Sequence, residues 1–254
     1  MPFMPAIYAM LTKKPATRLC CIGLSETLMQ LKPPLGIFGG TFDPVHLGHI
    51  CPVQEAAQET QIENIALMPC YIPSHKNPAV ASSQHRLNML ALVCADYPLF
   101  HLDPRDIKRG KPTFSLDSLQ ELRAAMPTTP LCFFIGSDSL QNLCSWHQWQ
   151  TLFSLCHFVV CERKNESVYN VTENSHTSAQ LQELLNNRQT IDPLVLHNSL
   201  AGHIYLANTQ TVTISSTEIR NKIINNQSVK ENLPTKVVDY IHQHKLYQPR
   251  TDFC

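Results

Sequence analysis

The amino-acid sequence predicts an α/β fold in which a parallel sheet is covered by helices on both faces. Three observations carry that prediction. Short runs of apolar, β-favouring residues alternate with longer helical stretches from Leu35 onward. One run, Leu131 to Ile135, is apolar without a break, as a central strand covered on both sides requires. The chain has 254 residues with 43% hydrophobic content, enough for one domain with a substantial core. Residues 35–254 are therefore read as a single domain.

The elements follow in order. A strand is expected at Leu35 to Phe38, a helix from about Leu47 to Thr60 and a strand at Asn64 to Met68. The next helix, Gln84 to Asp96, places Leu87, Leu90, Ala91 and Cys94 on one face. A strand at Leu99 to Leu102, a helix at Phe114 to Ala125, the central strand and a further strand at His157 to Cys161 complete the alternation. Beyond them lie an amphipathic stretch around Leu181 to Leu185 and an apolar segment at Ile204 to Leu206. A helix then starts at Ser215 or Ser216 with Ile219, Ile223 and Ile224 on its apolar face, and the tail from Pro234 to Tyr247 closes with a helix built on Val237, Val238 and Ile241. Lys164 to Gly202 suggests no function, and neither internal repeats nor low-complexity segments occur.

Residues 1–34 stand apart: they hold five prolines and no period, and read as an N-terminal extension, poorly ordered or upstream of a native start near Met29. The apolar stretch Phe3 to Leu11 precedes Lys13 and Lys14 and is interrupted by proline, unlike a secretory signal. No apolar run is long enough to cross a bilayer. Twenty Lys and Arg cancel twenty Asp and Glu, so no global field attracts nucleic acid or a membrane surface. Ten cysteines without a CxxC pair argue against a disulfide framework or zinc ribbon and fit a reducing cytoplasm.

The densest chemistry lies in Gly39 to His49, GGTFDPVHLGH, at the end of the first strand. Two glycines let backbone approach a ligand and tolerate positive φ, Thr41 offers a hydroxyl and an amide, and His46 and His49 sit where a helix begins. Imidazoles and helix-start amides can converge there on one anion. The competing readings are an ordinary turn and a zinc site, for which only Asp43 stands nearby as a third ligand. In a doubly covered sheet, ligands bind outside the carboxyl ends of the strands, which draws in two more loops. Cys70 to Ser83, with Pro73, Ser74, His75 and Lys76, occupies another such end or is an ordinary solvated loop. In Gly136 to Ser139, Asp138 accepts from ribose hydroxyls or caps a helix starting at Ser139. Trp146, by composition alone, is a packing residue. ISSTEIR, Ile214 to Arg220, combines a capping box with an arginine one turn in, a combination suited to triphosphate.

GGTFDPVHLGH followed by ISSTEIR, with alternating strands and helices between, resembles the nucleotidyltransferases that carry an HxGH signature. The form is similar to that of bacterial nicotinate-nucleotide adenylyltransferases, over about Leu35 to Tyr247. The resemblance implies a doubly wound Rossmann-like sheet, ATP and nicotinate mononucleotide as substrates, and Mg2+ carried on substrate phosphates rather than held by the protein. It assigns catalysis to His46, His49 and Arg220, and ATP contacts to Gly39, Gly40, Thr41, Phe42, Gly136, Asp138, Ser216 and Thr217. It implies a phosphate contact for Lys76, which lies in a PxHK-like segment. Trp146 would stack on the pyridine ring, and the main-chain amides of Ser115 and His147 would hold the nicotinate carboxylate. The family more usually has threonine and tyrosine at those last two positions, so recognition here would rest on main-chain donors. Asp43 shapes the turn or reaches a metal through water. Nicotinamide-mononucleotide or phosphopantetheine adenylyl transfer, a silent nucleotide sensor and a metal-dependent hydrolase on His46 and His49 are the alternatives; oligomeric state is open.

Overall fold

In chain order β1 (Leu35–Gly40) leads through α1 (Leu47–Thr60) to β2 (Ile65–Pro69), followed by the short β3 (Ile72–Pro73) and by α2 (Ser83–Asp96). Next come β4 (Phe100–Leu102), α3 (Arg105–Arg109), β5 (Pro112–Thr113), α4 (Ser115–Ala125) and β6 (Leu131–Gly136). After β6 the chain forms α5 (Ser137–Gln141), a 3-10 turn at Leu143–Ser145, α6 (Trp149–Leu155), β7 (His157–Arg163), α7 (His176–Arg188) and β8 (Gln189–Thr190). The order ends with α8 (Val195–Asn198), β9 (Ile204–Thr209), α9 (Ser216–Ile224) and α10 (Thr235–Gln243). The structure, a computed structural model, describes residues 30–73, 78–163, 176–210 and 213–248. Lys76, Met29 and most of the expected N-terminal extension lie outside the described residues.

Seven strands form one parallel sheet in the order β4-β2-β1-β6-β7-β9-β8, and β3 pairs with β5 in a separate two-stranded ribbon. From β1 the chain winds outward through β2 to β4, then returns to β6 on the other side of β1. The β1/β6 boundary is thus the switch point, where flanking loops diverge and leave a crevice outside the carboxyl ends of the strands. Register holds Phe38 against Leu67 on one side and Phe134 on the other, so Gly39 to Thr41 emerge at that crevice.

Alternation along the strands divides the core into two layers. Cys132, Phe134 and Val159 face the layer completed by Ile50, Met89, Ile219 and Val237 from α1, α2, α9 and α10. Leu131, Phe133, Ile135 and Val160 face the layer completed by Leu119, Leu152 and Leu184 from α4, α6 and α7. The doubly wound arrangement expected from the sequence is therefore present. The buried face of α2 differs from expectation: it is Arg86, Met89, Leu90 and Val93, while Ala91 is exposed. Its helical spacing is as regular, but its first member is an arginine that a count of apolar residues passes over. The segments α3, β3, β5 and α8 are too short for periodicity to mark them.

His157 shows how the core treats a titratable group. Its Nε2 lies 2.8 Å from the Ser199 carbonyl and its Nδ1 accepts from the His203 amide at 3.2 Å, which fixes a neutral ring with its proton on Nε2. Burial lowers its pKa from the usual 6.5 to about 4. Between those values the unfolded chain takes up a proton that the folded protein refuses. The contribution is complete above pH 6.5 and is lost as pH falls toward 4. His157→Gln, whose amide can make both hydrogen bonds without titrating, should shrink the loss of stability between pH 7 and 4.5 by up to about 3 kcal/mol. Urea midpoints at the two pH values measure this, and identical pH slopes for the two proteins contradict it.

Candidate active site

A cleft enclosing about 1010 Å³, including its open mouth, lies at the switch point. Gly39 and Gly40 at the end of β1 and Thr41 after it line it, with Met68 of β2, Cys70 just beyond that strand and Gly136 from the end of β6. Ser115, Trp146 and His147 close its far side. Topology thus brings together residues more than a hundred positions apart that the sequence offered as separate candidates. Ser115 is the first residue of α4, where amides lack intrahelical partners and the helix end is positive. Trp146 is half-buried and packs edge-on against Phe133, centroids 6.3 Å apart, while His147 is exposed and lies 5.3 Å from Phe114. Trp146 is therefore both a packing residue and a wall of the cleft.

The turn leaving β1 is held from outside itself. Asp43 is 4% exposed, and its carboxylate accepts from the amides of Val80 at 2.7 Å and Ala81 at 3.0 Å and from the Tyr247 hydroxyl at 2.8 Å. Arg220 donates to the Asp43 carbonyl at 2.7 Å and stands 3.8 Å from its carboxylate. The left-handed residue in this turn is Phe42, at φ 50°, rather than either glycine. Gly40 serves by lacking a side chain: a Cβ there would lie 3.0–3.3 Å from the Phe42 ring. That ring is 1% exposed and belongs to the core, leaving only main-chain atoms of Phe42 for a ligand.

His46 is the N-cap of α1 and His49 its third residue. The His46 amide donates to His49 Nδ1 at 3.3 Å, and the rings stack with centroids 3.6 Å apart. His46 is 4% exposed, and burial lowers its pKa to about 4, so it is a neutral imidazole at physiological pH. Gly48 gives the pair room, since a Cβ there would sit 3.0 Å from His46 Nδ1, a tight contact. His49 packs against Phe38 and Phe42, and Phe38 also lines the cleft, so the histidine pair adjoins it. On the other side of the turn α9 begins: Ser215 is its N-cap, accepting from the Glu218 amide at 3.1 Å, and Ser216 Oγ donates to the Pro44 carbonyl at 3.0 Å. Arg220 also donates to Thr217 Oγ1 at 3.1 Å.

Of the two readings of Asp138, the helix cap does not hold. Helix α5 starts at Ser137 with Gly136 as N-cap, so Asp138 is the second residue of its first turn, exposed, and caps no helix at Ser139. The glycine ends the strand, and the helix begins before the acidic residue is reached. Two residues near the cleft escaped the sequence reading altogether. Arg86 is 1% exposed and donates to the carbonyls of Thr41 at 2.8 Å, Cys70 at 2.7 Å and Tyr71 at 3.2 Å, tying the ends of β1 and β2. Asp106, on α3, is 1% exposed and contributes to the wall of the cleft. Both occupy helix positions that look like ordinary solvent-facing charges. Among the described residues no group of three or more His, Cys, Asp or Glu converges as metal ligands.

Asp43→Asn tests the hold on the turn. An amide keeps one acceptor oxygen and turns an NH2 toward amides that also donate, so the variant should lose about 2–4 kcal/mol of stability. Thermal unfolding of the two proteins is the measurement, and an unchanged midpoint contradicts the role assigned to the carboxylate.

A family model described as cytidylyltransferase-like matches residues 37–222. A protein of Pseudoalteromonas atlantica named probable nicotinate-nucleotide adenylyltransferase is 48% identical over 224 residues, covering 88% of this chain and 99% of that one. One of the same name from Aeromonas salmonicida is 42% identical over 219 residues, covering 86% and 99%. Among solved structures, the nicotinic acid mononucleotide adenylyltransferase of Plasmodium falciparum, complexed with NaAD, has the same fold, with a TM-score of 0.61 at 19% identity over 85% of this chain and 98% of that one. With relatives this similar along nearly their whole length, the chain belongs to the cytidylyltransferase-like nucleotidyltransferases and, within them, to the nicotinate-nucleotide adenylyltransferase family.

Proposed function

We propose that the protein transfers the adenylyl group of ATP to nicotinate mononucleotide, forming nicotinate adenine dinucleotide and pyrophosphate in NAD synthesis. The observation that carries this reading is the single cleft in which Gly39 to Thr41 meet Ser115, Trp146 and His147 at the switch point of the sheet. A phosphate oxygen of the mononucleotide attacks the α-phosphorus of ATP in line, a new P–O bond forms, and the bond from the α-phosphorus to the bridging oxygen breaks as pyrophosphate leaves. The attacking phosphate is already an anion at neutral pH, so no general base is required. The protein must instead align two anions and stabilise charge on the transferring and leaving groups.

His46 does so as a neutral donor, because its depressed pKa denies it a positive charge. His49 accepts at Nδ1, which places its proton on Nε2, the nitrogen that would donate to a phosphate oxygen. Arg220 and the first-turn amides of Ser216 and Thr217 take the β- and γ-phosphates at the positive end of α9. Main-chain groups of Gly39 to Phe42 follow the nucleotide, and Gly136 and Asp138 border the adenosine. Trp146 stacks on the pyridine, while the Ser115 amide at the start of α4 and the His147 amide hold the nicotinate carboxylate. Both oxygens of Asp43 are engaged by protein donors, which fits a magnesium ion that arrives on the triphosphate and is held through its oxygens. Such an ion supplies charge neutralisation at the phosphates. The free thiols of the described cysteines suit the cytoplasm as the compartment.

The direct test incubates the protein with ATP, magnesium and either nicotinate or nicotinamide mononucleotide, following pyrophosphate and dinucleotide. Preference for nicotinate mononucleotide is expected; preference for the amide overturns the roles of Ser115 and His147, and no release with either leaves binding without chemistry. His49→Ala should cut turnover about a hundredfold or more while the protein stays folded; unchanged turnover removes it from the mechanism. Arg220→Lys replaces a planar fork by one ammonium and should reduce kcat/KM for ATP about tenfold or more. Wild-type ATP kinetics in that variant contradict the phosphate role.

A further inference from the structure

A cleft that accepts the carboxylate of nicotinate already contains a carboxylate of its own. Asp106 is 1% exposed and is one of the residues of the wall, with Ser115, Trp146 and His147. Left alone, this charge would repel an anionic ring substituent placed near it. It is not left alone: Arg109, three residues on in the same helix, lies with NH1 3.0 Å from Asp106 Oδ1, and Ser118 of α4 donates its hydroxyl to the same oxygen. Arg109 also donates to Ser118 Oγ at 3.3 Å and through Nε to Glu121 at 2.8 Å. Glu121 is half exposed, so water screens it, whereas Asp106 is out of water and depends on the arginine for compensation. The neighbouring Asp103 has its own partner, Arg105, at 2.7 Å.

We infer that Arg109 is a specificity-determining residue: by neutralising Asp106 it lets the pyridine end of the cleft accept a carboxylate in preference to a carboxamide. Arg109 acts through Asp106 and is a positioning residue, distinct from the amides that contact the ring substituent. The inference rests on the reading of the cleft as the nicotinate mononucleotide site. It also separates two tasks that a single contact cannot perform. The amides at the start of α4 supply donors, which a carboxamide oxygen can also use, whereas the local charge balance is felt only by the carboxylate.

Nicotinate and nicotinamide mononucleotides share ribose, phosphate and ring nitrogen and differ only in this substituent. The ratio of their kcat/KM values therefore isolates the charge effect, because general damage to the site lowers both. Arg109→Gln should lower the ratio of nicotinate to nicotinamide substrate by ~10-fold or more, as a buried like charge does at short range. Adding Asp106→Asn to that variant should restore the ratio to within about threefold of wild type, although nothing positive has been returned. Arg109→Lys should keep the ratio. Asp106→Asn alone, which leaves the arginine in place, should hold or raise it, and this variant decides the matter if Arg109→Gln does not fold. An unchanged ratio in folded Arg109→Gln, failure of the double variant to recover, or a lowered ratio in Asp106→Asn overturns the inference while leaving the proposed reaction intact. A wild-type protein that does not prefer nicotinate mononucleotide overturns the substrate reading first and the inference with it.

Discussion

One buried carboxylate sets the geometry from which the candidate site is built. Asp43 collects donors from the loop before α2 and from Tyr247, while Arg220 of α9 bonds its carbonyl. Removing a negative charge from water is expensive, and only a complete set of donors offsets the cost. The cost is also what makes the arrangement specific: half-made, it would strand a charge in the core, so the turn that carries Thr41 and His46 has one satisfied position. Ser216, bonded to the Pro44 carbonyl, fixes the start of α9 against the same turn. The histidine motif and the arginine motif, which lie at opposite ends of the sequence, are thereby one rigid object.

Around this object positive charge is placed sparingly. A chain of zero net charge cannot attract a triphosphate by its overall field. Arg86 sits beneath the strand ends, bonded to three carbonyls and the Ser83 hydroxyl. His46 contributes a donor without a charge. In the proposed reaction the pyridine end would depend on helix-start amides. Anion binding is thus assigned mainly to preorganised main-chain groups, which need not reorient when phosphate arrives.

The alternation of strands and helices, the central strand at Leu131 and the density of chemistry in Gly39 to His49 were all legible in the sequence, because each leaves a local pattern. The use of those residues was only partly so. GGTFDPVHLGH discloses its histidines, but not that Gly40 makes room for Phe42 or Gly48 for His46, since those needs arise from rings folded back in space. Arg86 and Asp106 were invisible for a physical reason: a charged residue at a helical position reads as solvated, and its burial depends on what the sheet order places above it. Ser115, Trp146 and His147 came from family resemblance, and composition alone would have left Trp146 in the core. Residues 164–202 gave no functional reading, and within them α7 packs Leu181, Leu184 and Leu185 into one core layer.

The bond between Tyr247 and Asp43 joins positions 204 residues apart. During synthesis the ribosome must travel that far beyond the motif before its carboxylate has all its partners, a delay of roughly 10–40 s at ordinary elongation rates. The switch point and most of the sheet can assemble in that interval, with the turn lacking one of the donors to its carboxylate. Helix α10 and the tyrosine after it therefore act as a clasp that closes on the turn only after the rest of the sheet has been made.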